Sequence, residues 1–306
     1  LVSSAENHYK MIMKQSAHIT LAVCILIGVR RLPASYLERG SVAFYCSVLT
    51  LLALVLLFGH TGKGAQRWLS LGWLRFEPSE LMKIALPLTL ASRIHHRDIP
   101  LSGATLAECA LIILLPFAMI AKQPDLGTAC IIAFIGIIVL VLAGVPLRIW
   151  LRLTLTALLC APVGWTYLHD YQKQRIITLL QPQQDTTGKG YHIHQAKIAI
   201  GGGGLYGQGW RQGTQAHLRF LPEHNTDFIF ALCAEEFGFL GCVLLLFGML
   251  TLTSLGCYLA ILAEDIFSRL AIAGIISAYA LCSCINIAMV CGLLPVVGIP
   301  LPFISY

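Results

Sequence analysis

Hydrophobic residues in this chain fall into long, nearly unbroken runs rather than the two-residue alternation of half-buried strands, which predicts helices in a membrane. A helix needs about 20 mostly apolar residues to cross roughly 30 Å of hydrocarbon. Eight segments come close: residues 11–29, 41–58, 78–94, 103–121, 126–145, 150–168, 229–262 and 270–293. The fifth and eighth carry no Asp, Glu, Lys or Arg. The first is interrupted by Lys14 and His18, and the third by Glu80, Lys83 and Pro87. No internal repeat is visible, and the one long polar stretch is 169–226. The pattern predicts an all-α polytopic membrane protein, with residues 1–306 forming a single integral membrane domain.

Composition narrows the class further. Of 306 residues, 57% are hydrophobic and 12% charged, with a mean hydropathy of +0.76. A soluble domain carries about 25% charged residues, so a cytosolic enzyme and a disordered or collagen-like chain are excluded. The 11 cysteines all sit in apolar stretches without a CxxC pair. They read as small core residues, not as a disulfide framework or a zinc site.

The net charge of +6 becomes informative once it is divided between the two sides. Alternate short connections carry Arg30, Arg31 and Arg39; Arg93 and Arg97; Arg148 and Arg152; and Arg269. The opposite connections carry only Lys63, Arg67, Arg75 and Lys122. Positive short loops stay in the cytoplasm. The first set is therefore expected inside, and 169–226 becomes a large extracytoplasmic loop. Parity then puts Leu1 outside, and the chain stops at Tyr306 without a polar tail. We expect about one further helix at each end of the natural protein.

Candidate chemistry lies where charge breaks this trend. The outer connection 59–79 holds Lys63, Arg67 and Arg75 with Trp68 and Trp73. The tryptophans suit an interfacial belt, whereas outward cations are explained best by an anionic ligand such as a phosphate. Glu80 and Lys83, three apart, share a helix side just within the membrane, where ionisable groups face a bundle interior or a watery cavity. Glu108 raises the same question, and Asp125 after Pro124 fits a helix N-cap.

The outer loop predicts a short interfacial helix over 191–200, with Ile193, Ala196, Lys197 and Ile200 at helical spacing, ending in the glycines 201–204. No GxxxxGK[ST] is present, so an ATP site is rejected. The glycines suit left-handed turns or close approach of backbone to a bulky ligand. His192 and His194 alone do not make a metal site. Asp227 stands where the loop enters the seventh span, with Glu223, His224, Glu235 and Glu236 nearby. Ala231, Ala234, Gly238 and Gly241 read as one small-residue helix face suited to close packing. Such a cluster of ionisable groups marks a functional-site candidate, with an N-cap as the plainer role for Asp227.

The motifs GKGAQRWLSLG, RFEPSELMKIA, KQPDLGTA, HDYQKQRI, GYHIHQAKIAIGGGGLYGQGW, GTQAHLRFLPEHNTDFIFALCAEEFGF and GLLPVVGIPLPFISY occur in this order. Together they resemble the SEDS family, and within it the elongation branch typified by RodA rather than the division branch typified by FtsW. The resemblance covers essentially the whole chain. It implies a SEDS-type helical bundle of ten helices, eight of them visible here. It also implies a peptidoglycan glycosyltransferase of the bacterial inner membrane, active on its outer face. Such an enzyme polymerises lipid II into glycan strands with a class B penicillin-binding protein and the elongation machinery, and nucleic acid has no part in it. The family's essential acid falls on Asp227, its outer-loop Arg and Trp on Arg67 and Trp68, and its PSE-x-x-K charges on Glu80 and Lys83. Glu77 stands where the family has Gln, and Glu223-His224 where it has Glu-Lys.

On this reading Asp227 is the general base, its pKa raised by partial burial beside Glu223 and Glu235. Arg67, Arg75, Lys83, Lys197 and Arg211 are the candidate cations for the pyrophosphate. A divalent cation, Mg or Mn, would also suit a pyrophosphate, yet no ligand set in the sequence identifies one. The rival is a lipid II flippase, which needs polar residues through the whole membrane thickness.

Overall fold

The computed structural model describes residues 2–62, 65–71, 74–97, 100–167, 173, 189–210, 212–213 and 227–305. Each expected span is a helix: α1 Val2–Arg30, α2 Ala34–Phe58, α3 Pro78–His95, α4 Gly103–Lys122, α5 Leu126–Leu142, α6 Leu147–Tyr167, α8 Ile229–Leu262 and α9 Ile266–Val290. The interfacial helix is α7, Lys189–Gly202. Among the described residues, α2, α4, α8 and α9 are long and apolar enough to cross a membrane. The protein is a multi-pass membrane protein.

Within the connection 59–79 the chain forms a small sheet. It is a three-stranded antiparallel meander of β1 His60–Gly62, β2 Ala65–Leu71 and β3 Leu74–Phe76. His60 pairs with Trp68 and Ser70 with Arg75. Strand pairing satisfies backbone groups that would otherwise hang over the membrane edge.

Helix α3 lies at the centre, against α2, α4, α5 and α9. Although it holds Glu80, Lys83 and Pro87, it buries Met82, Leu86, Leu90 and Ile94 completely or nearly so. Polar residues that would bar α3 from lipid are tolerated because neighbouring helices cover it. Gly274 of α9 lets that helix cross closely, since a Cβ there would lie 2.5 Å from Pro87 Cβ and 2.8 Å from Val139 Cγ2. Pro116 in α4 lacks an N–H and so cannot bond the Ile112 carbonyl one turn back. The Tyr45 hydroxyl of α2 donates to that carbonyl at 2.7 Å. A second apolar cluster joins Ile193, Ala196 and Ala199 of α7 to Phe230, Ala231 and Ala234 of α8 and Met289 and Val290 of α9. Helix α9 therefore belongs to both cores.

Helix α8 corrects one expectation. The small-residue stripe is not a continuous helix face, because Gly238 leaves the helical region at φ 66° and ψ −162°. The break releases the carbonyls of Glu235 and Glu236 and the N–H groups of Phe239 and Leu240. The glycine segment after α7 takes up all four. Gln208 and Gly209 donate to the Glu235 and Glu236 carbonyls at 2.9 and 3.1 Å, and Phe239 and Leu240 donate to the Gly204 and Leu205 carbonyls at 2.8 and 3.2 Å. The glycines do allow close backbone approach, but what approaches is the protein's own helix: a Cβ on Gly203 would strike the Ala234 carbonyl, and one on Gly207 the Glu236 carbonyl. Residues from Phe239 to Leu262 remain long enough to span, at about 1.5 Å each.

A side chain at Gly238 would meet the Gly207 nitrogen and the Leu205 carbonyl in a left-handed conformation. Gly238→Ala should therefore cost at least about 1–3 kcal/mol, read as a lower melting temperature in detergent. Gly248→Ala, where an added Cβ meets nothing within 4 Å, should leave the melting temperature unchanged or slightly raised.

Candidate active site

The ends of α2, α4 and α9, the starts of α3, α5 and α8, and the small sheet meet at one end of the bundle. Alternation along β2 turns Arg67 and Trp68 to opposite faces. Arg67 reaches Asp125 at 3.2 Å, with its side chain 18% exposed and that of Asp125 1% exposed. It also donates to the Pro124 carbonyl at 3.5 Å. Trp68 is exposed, as an interfacial residue would be. Asp125 caps α5 by accepting from the Thr128 N–H at 3.3 Å, as expected, and it is in addition the counter-ion of Arg67.

Glu77 immediately precedes α3 and accepts from the Ser79 hydroxyl at 2.6 Å. Burial pushes its carboxyl up from the ordinary 4.5 to about 7; the Ser79 hydrogen bond opposes this, the Asp125 and Glu80 charges add to it, and Arg67 opposes it. One turn into α3, Lys83 and Glu80 form an ion pair at 2.7 Å, with Lys83 10% exposed and Glu80 50% exposed. Lys83 also interacts with Cys282 of α9. Arg67, Glu77, Glu80, Lys83 and Asp125 therefore form one electrostatic group of two cations and three carboxyls.

Asp227 is half-buried just before α8, whose cap position is Phe228, without a side-chain cap bond. Asn286, which is fully buried on α9, holds the surrounding backbone. Its Nδ2 donates to the Asp227 carbonyl at 3.0 Å and to the Ile299 carbonyl at 2.7 Å. This draws the returning segment 292–305 beside Asp227, where a Cβ on Gly298 would lie 3.4 Å from Asp227 Oδ2. Gly298 has φ 81°. Asn286 and Cys282 are four apart on α9 and hence neighbours on one helix face. Asp227 and Lys83 thus touch adjacent positions of the same helix.

Lys197 is exposed on α7, and its amine passes 2.7 Å from where a Cβ on Gly292 would stand. Arg75 is placed by its backbone on β3. Arg211, Glu223 and His224 lie outside the described residues, as does most of the outer loop. Glu108 does not join this group; it pairs with Arg93 at 3.4 Å and Arg97 at 3.7 Å, at the other end of the bundle. For a divalent cation the fit here is poor, because the Asp125 and Glu80 carboxylates already face Arg67 and Lys83, and Glu77 resists ionisation. Reading the sequence alone misses Asn286 as an anchor and Glu77 as a half-buried carboxyl. The signal available was a lone amide in an otherwise charge-free span.

Below pH 4.5 the Glu77 carboxyl is protonated whether the chain is folded or unfolded, whereas between 4.5 and about 7 only the unfolded chain ionises it. Stability is therefore lost as pH rises through that window. Glu77→Gln should melt higher than the unsubstituted protein above about pH 7 and at the same temperature below about pH 4.5. Asn286→Ala takes the donor from one buried carbonyl, that of Ile299, and one part-buried carbonyl, that of Asp227, and should destabilise by about 1–3 kcal/mol for the buried one, measured in the same melts.

Comparison with known proteins bears on these residues. The cell cycle protein family FtsW/RodA/SpoVE matches residues 2–306. The peptidoglycan glycosyltransferase MrdB of Escherichia coli K12 is 41% identical over 308 residues, covering 99% of this chain and 82% of that one. MrdB of Helicobacter pylori J99 is 38% identical over 307 residues, covering 98% and 79%. A solved structure concerning the coordination of polymerization and crosslinking by a peptidoglycan synthase complex superposes with a TM-score of 0.83 at 31% identity, over 95% of this chain and 82% of that one. The crystal structure of the Thermus thermophilus rod shape determining protein RodA gives a TM-score of 0.69 at 29% identity, over 95% and 79%.

Proposed function

The chain belongs to the FtsW/RodA/SpoVE family of cell cycle proteins, and on that premise we propose that it is a peptidoglycan glycosyltransferase that polymerises lipid II into glycan strands during cell elongation. It works in the bacterial inner membrane, with the end that carries Asp227 facing outward and 169–226 forming the outer loop. The observation that carries the reading is the placement of Asp227: its backbone is tied by a fully buried amide, its carboxylate faces a residue without a side chain, and its anchor helix also touches Lys83.

Asp227 Oδ accepts the proton of the acceptor sugar hydroxyl. The oxygen attacks the donor's anomeric carbon, the bond from that carbon to the pyrophosphate breaks, and its electron pair leaves with the polyprenyl pyrophosphate. Positive side chains stabilise this leaving charge best when they are held in place beforehand. Lys83 and Arg67 are held so, by Glu80 and Asp125; Arg75, Lys197 and Arg211 are the further candidates from the outer face. A class B penicillin-binding protein supplies the transpeptidation. A flippase fits the charge distribution less well, because Glu108 is neutralised by Arg93 and Arg97 at the opposite end and the middle of α5 and α9 carries no charge.

Full-length protein reconstituted in liposomes, with a partner lacking its catalytic serine, should elongate lipid II into strands. Asp227→Ala should lose at least the 10²- to 10⁴-fold that positioned proton transfer typically contributes, while still folding and binding its partner. Strand synthesis by the purified variant at an undiminished rate would overturn the assignment.

A further inference from the structure

At the end of the bundle opposite Asp227, a second cluster of chemically active side chains takes no part in the proposed reaction. It lies next to Asp265, the N-cap of α9, which is 21 positions before Asn286 and so about 30 Å away at 1.5 Å per residue. Glu38 comes from the first turns of α2, and His95 and His96 end α3. One carboxylate oxygen and one nitrogen from each imidazole lie within 4.8 Å of one another. Within that group, His96 Nε2 and Glu38 Oε1 are 3.0 Å apart.

We infer that Glu38, His95 and His96 form a binding site for a divalent first-row transition ion, one that ties the start of α2 to the end of α3. Two imidazoles and one carboxylate are the donor set that such ions prefer over magnesium or calcium, which take oxygen. Metal–ligand bonds of about 2.0–2.2 Å to nitrogen and oxygen bring two donors to roughly the separation that His96 and Glu38 already show. Three protein donors leave coordination positions open to water. Asp265 adds a nearby negative charge that acts on His95.

An ordinary ion pair between protonated His96 and Glu38 explains less. It leaves His95 Nδ1, which is buried and has no hydrogen-bond partner among the described residues. A buried imidazole nitrogen without a partner is costly, and a bound cation satisfies it. The two rings sit close, with centroids 4.7 Å apart and planes tilted by 59°. The side chain of His96 is 73% exposed, which gives the ion a path in from solvent.

The test uses tag-free, full-length protein in detergent, titrated with Co²⁺ and followed by its visible absorption, then with Zn²⁺ by calorimetry and thermal melting. One equivalent should bind saturably, and Zn²⁺ should raise the melting temperature. His96→Gln and Glu38→Gln should each weaken binding by more than about tenfold, the lower end of what even outer-shell changes do at metal sites. His96 is mostly exposed, so its replacement tests the site without threatening the fold. Absence of saturable Co²⁺ binding, or binding unchanged in both variants, would overturn the proposal and leave a pH-dependent ion pair.

Discussion

In hydrocarbon no solvent stands ready to accept a backbone hydrogen bond, so each interruption of a helix has to be answered by another part of the protein. Three such answers organise this bundle. The carbonyl released by Pro116 is taken by Tyr45. The four groups released at Gly238 are taken by the segment 204–209. Around Asp227 α8 begins and the segment after α9 returns, and Asn286 donates to a carbonyl of each, those of Asp227 and Ile299. Among the described residues, each of these three interruptions is thus covered by a partner segment.

The same scarcity of solvent orders the charges. Arg67 and Lys83 are mostly buried, and each is matched by an acid chosen from a different stage of the chain: Asp125, 58 residues on from Arg67, and Glu80, three before Lys83. A buried pair gives little net stability, because desolvation offsets attraction, but it fixes both partners in place. That suits the proposed pyrophosphate-binding role, since cations already oriented need not rearrange as charge develops. Glu77 goes the other way. Burial outweighs the pull of Arg67, so it keeps its proton to near neutrality, and the group then holds less negative charge to repel the proposed pyrophosphate.

The helices were legible because long apolar runs leave few alternatives once about 20 residues are required to cross. So was the Glu80–Lys83 pair, whose spacing is local. What escaped was whatever depends on distant contacts. Nothing in the string links Arg67 to Asp125 or Asn286 to Ile299, and nothing says that the glycine run 201–209 folds onto α8. The small-residue stripe misled for a related reason: Gly238 fits a helix face by periodicity, yet its backbone adopts a left-handed value that ends the face. The sheet at 60–76 was hidden among glycines and tryptophans that favour a loop reading. The family motifs located Asp227, whereas the amide that holds it lay in a span whose lack of charge had made it look inert.

The exchange of bonds at Gly238 carries a corollary for how homologous chains can vary in length. Four residues of the glycine segment, Gly204, Leu205, Gln208 and Gly209, are matched in fixed order with four of α8, Glu235, Glu236, Phe239 and Leu240, so adding or deleting a single residue within either stretch would put donors out of step with their acceptors. Indels are therefore shut out of both stretches, and any growth or shrinkage of the exterior portion must be accommodated elsewhere in the polypeptide.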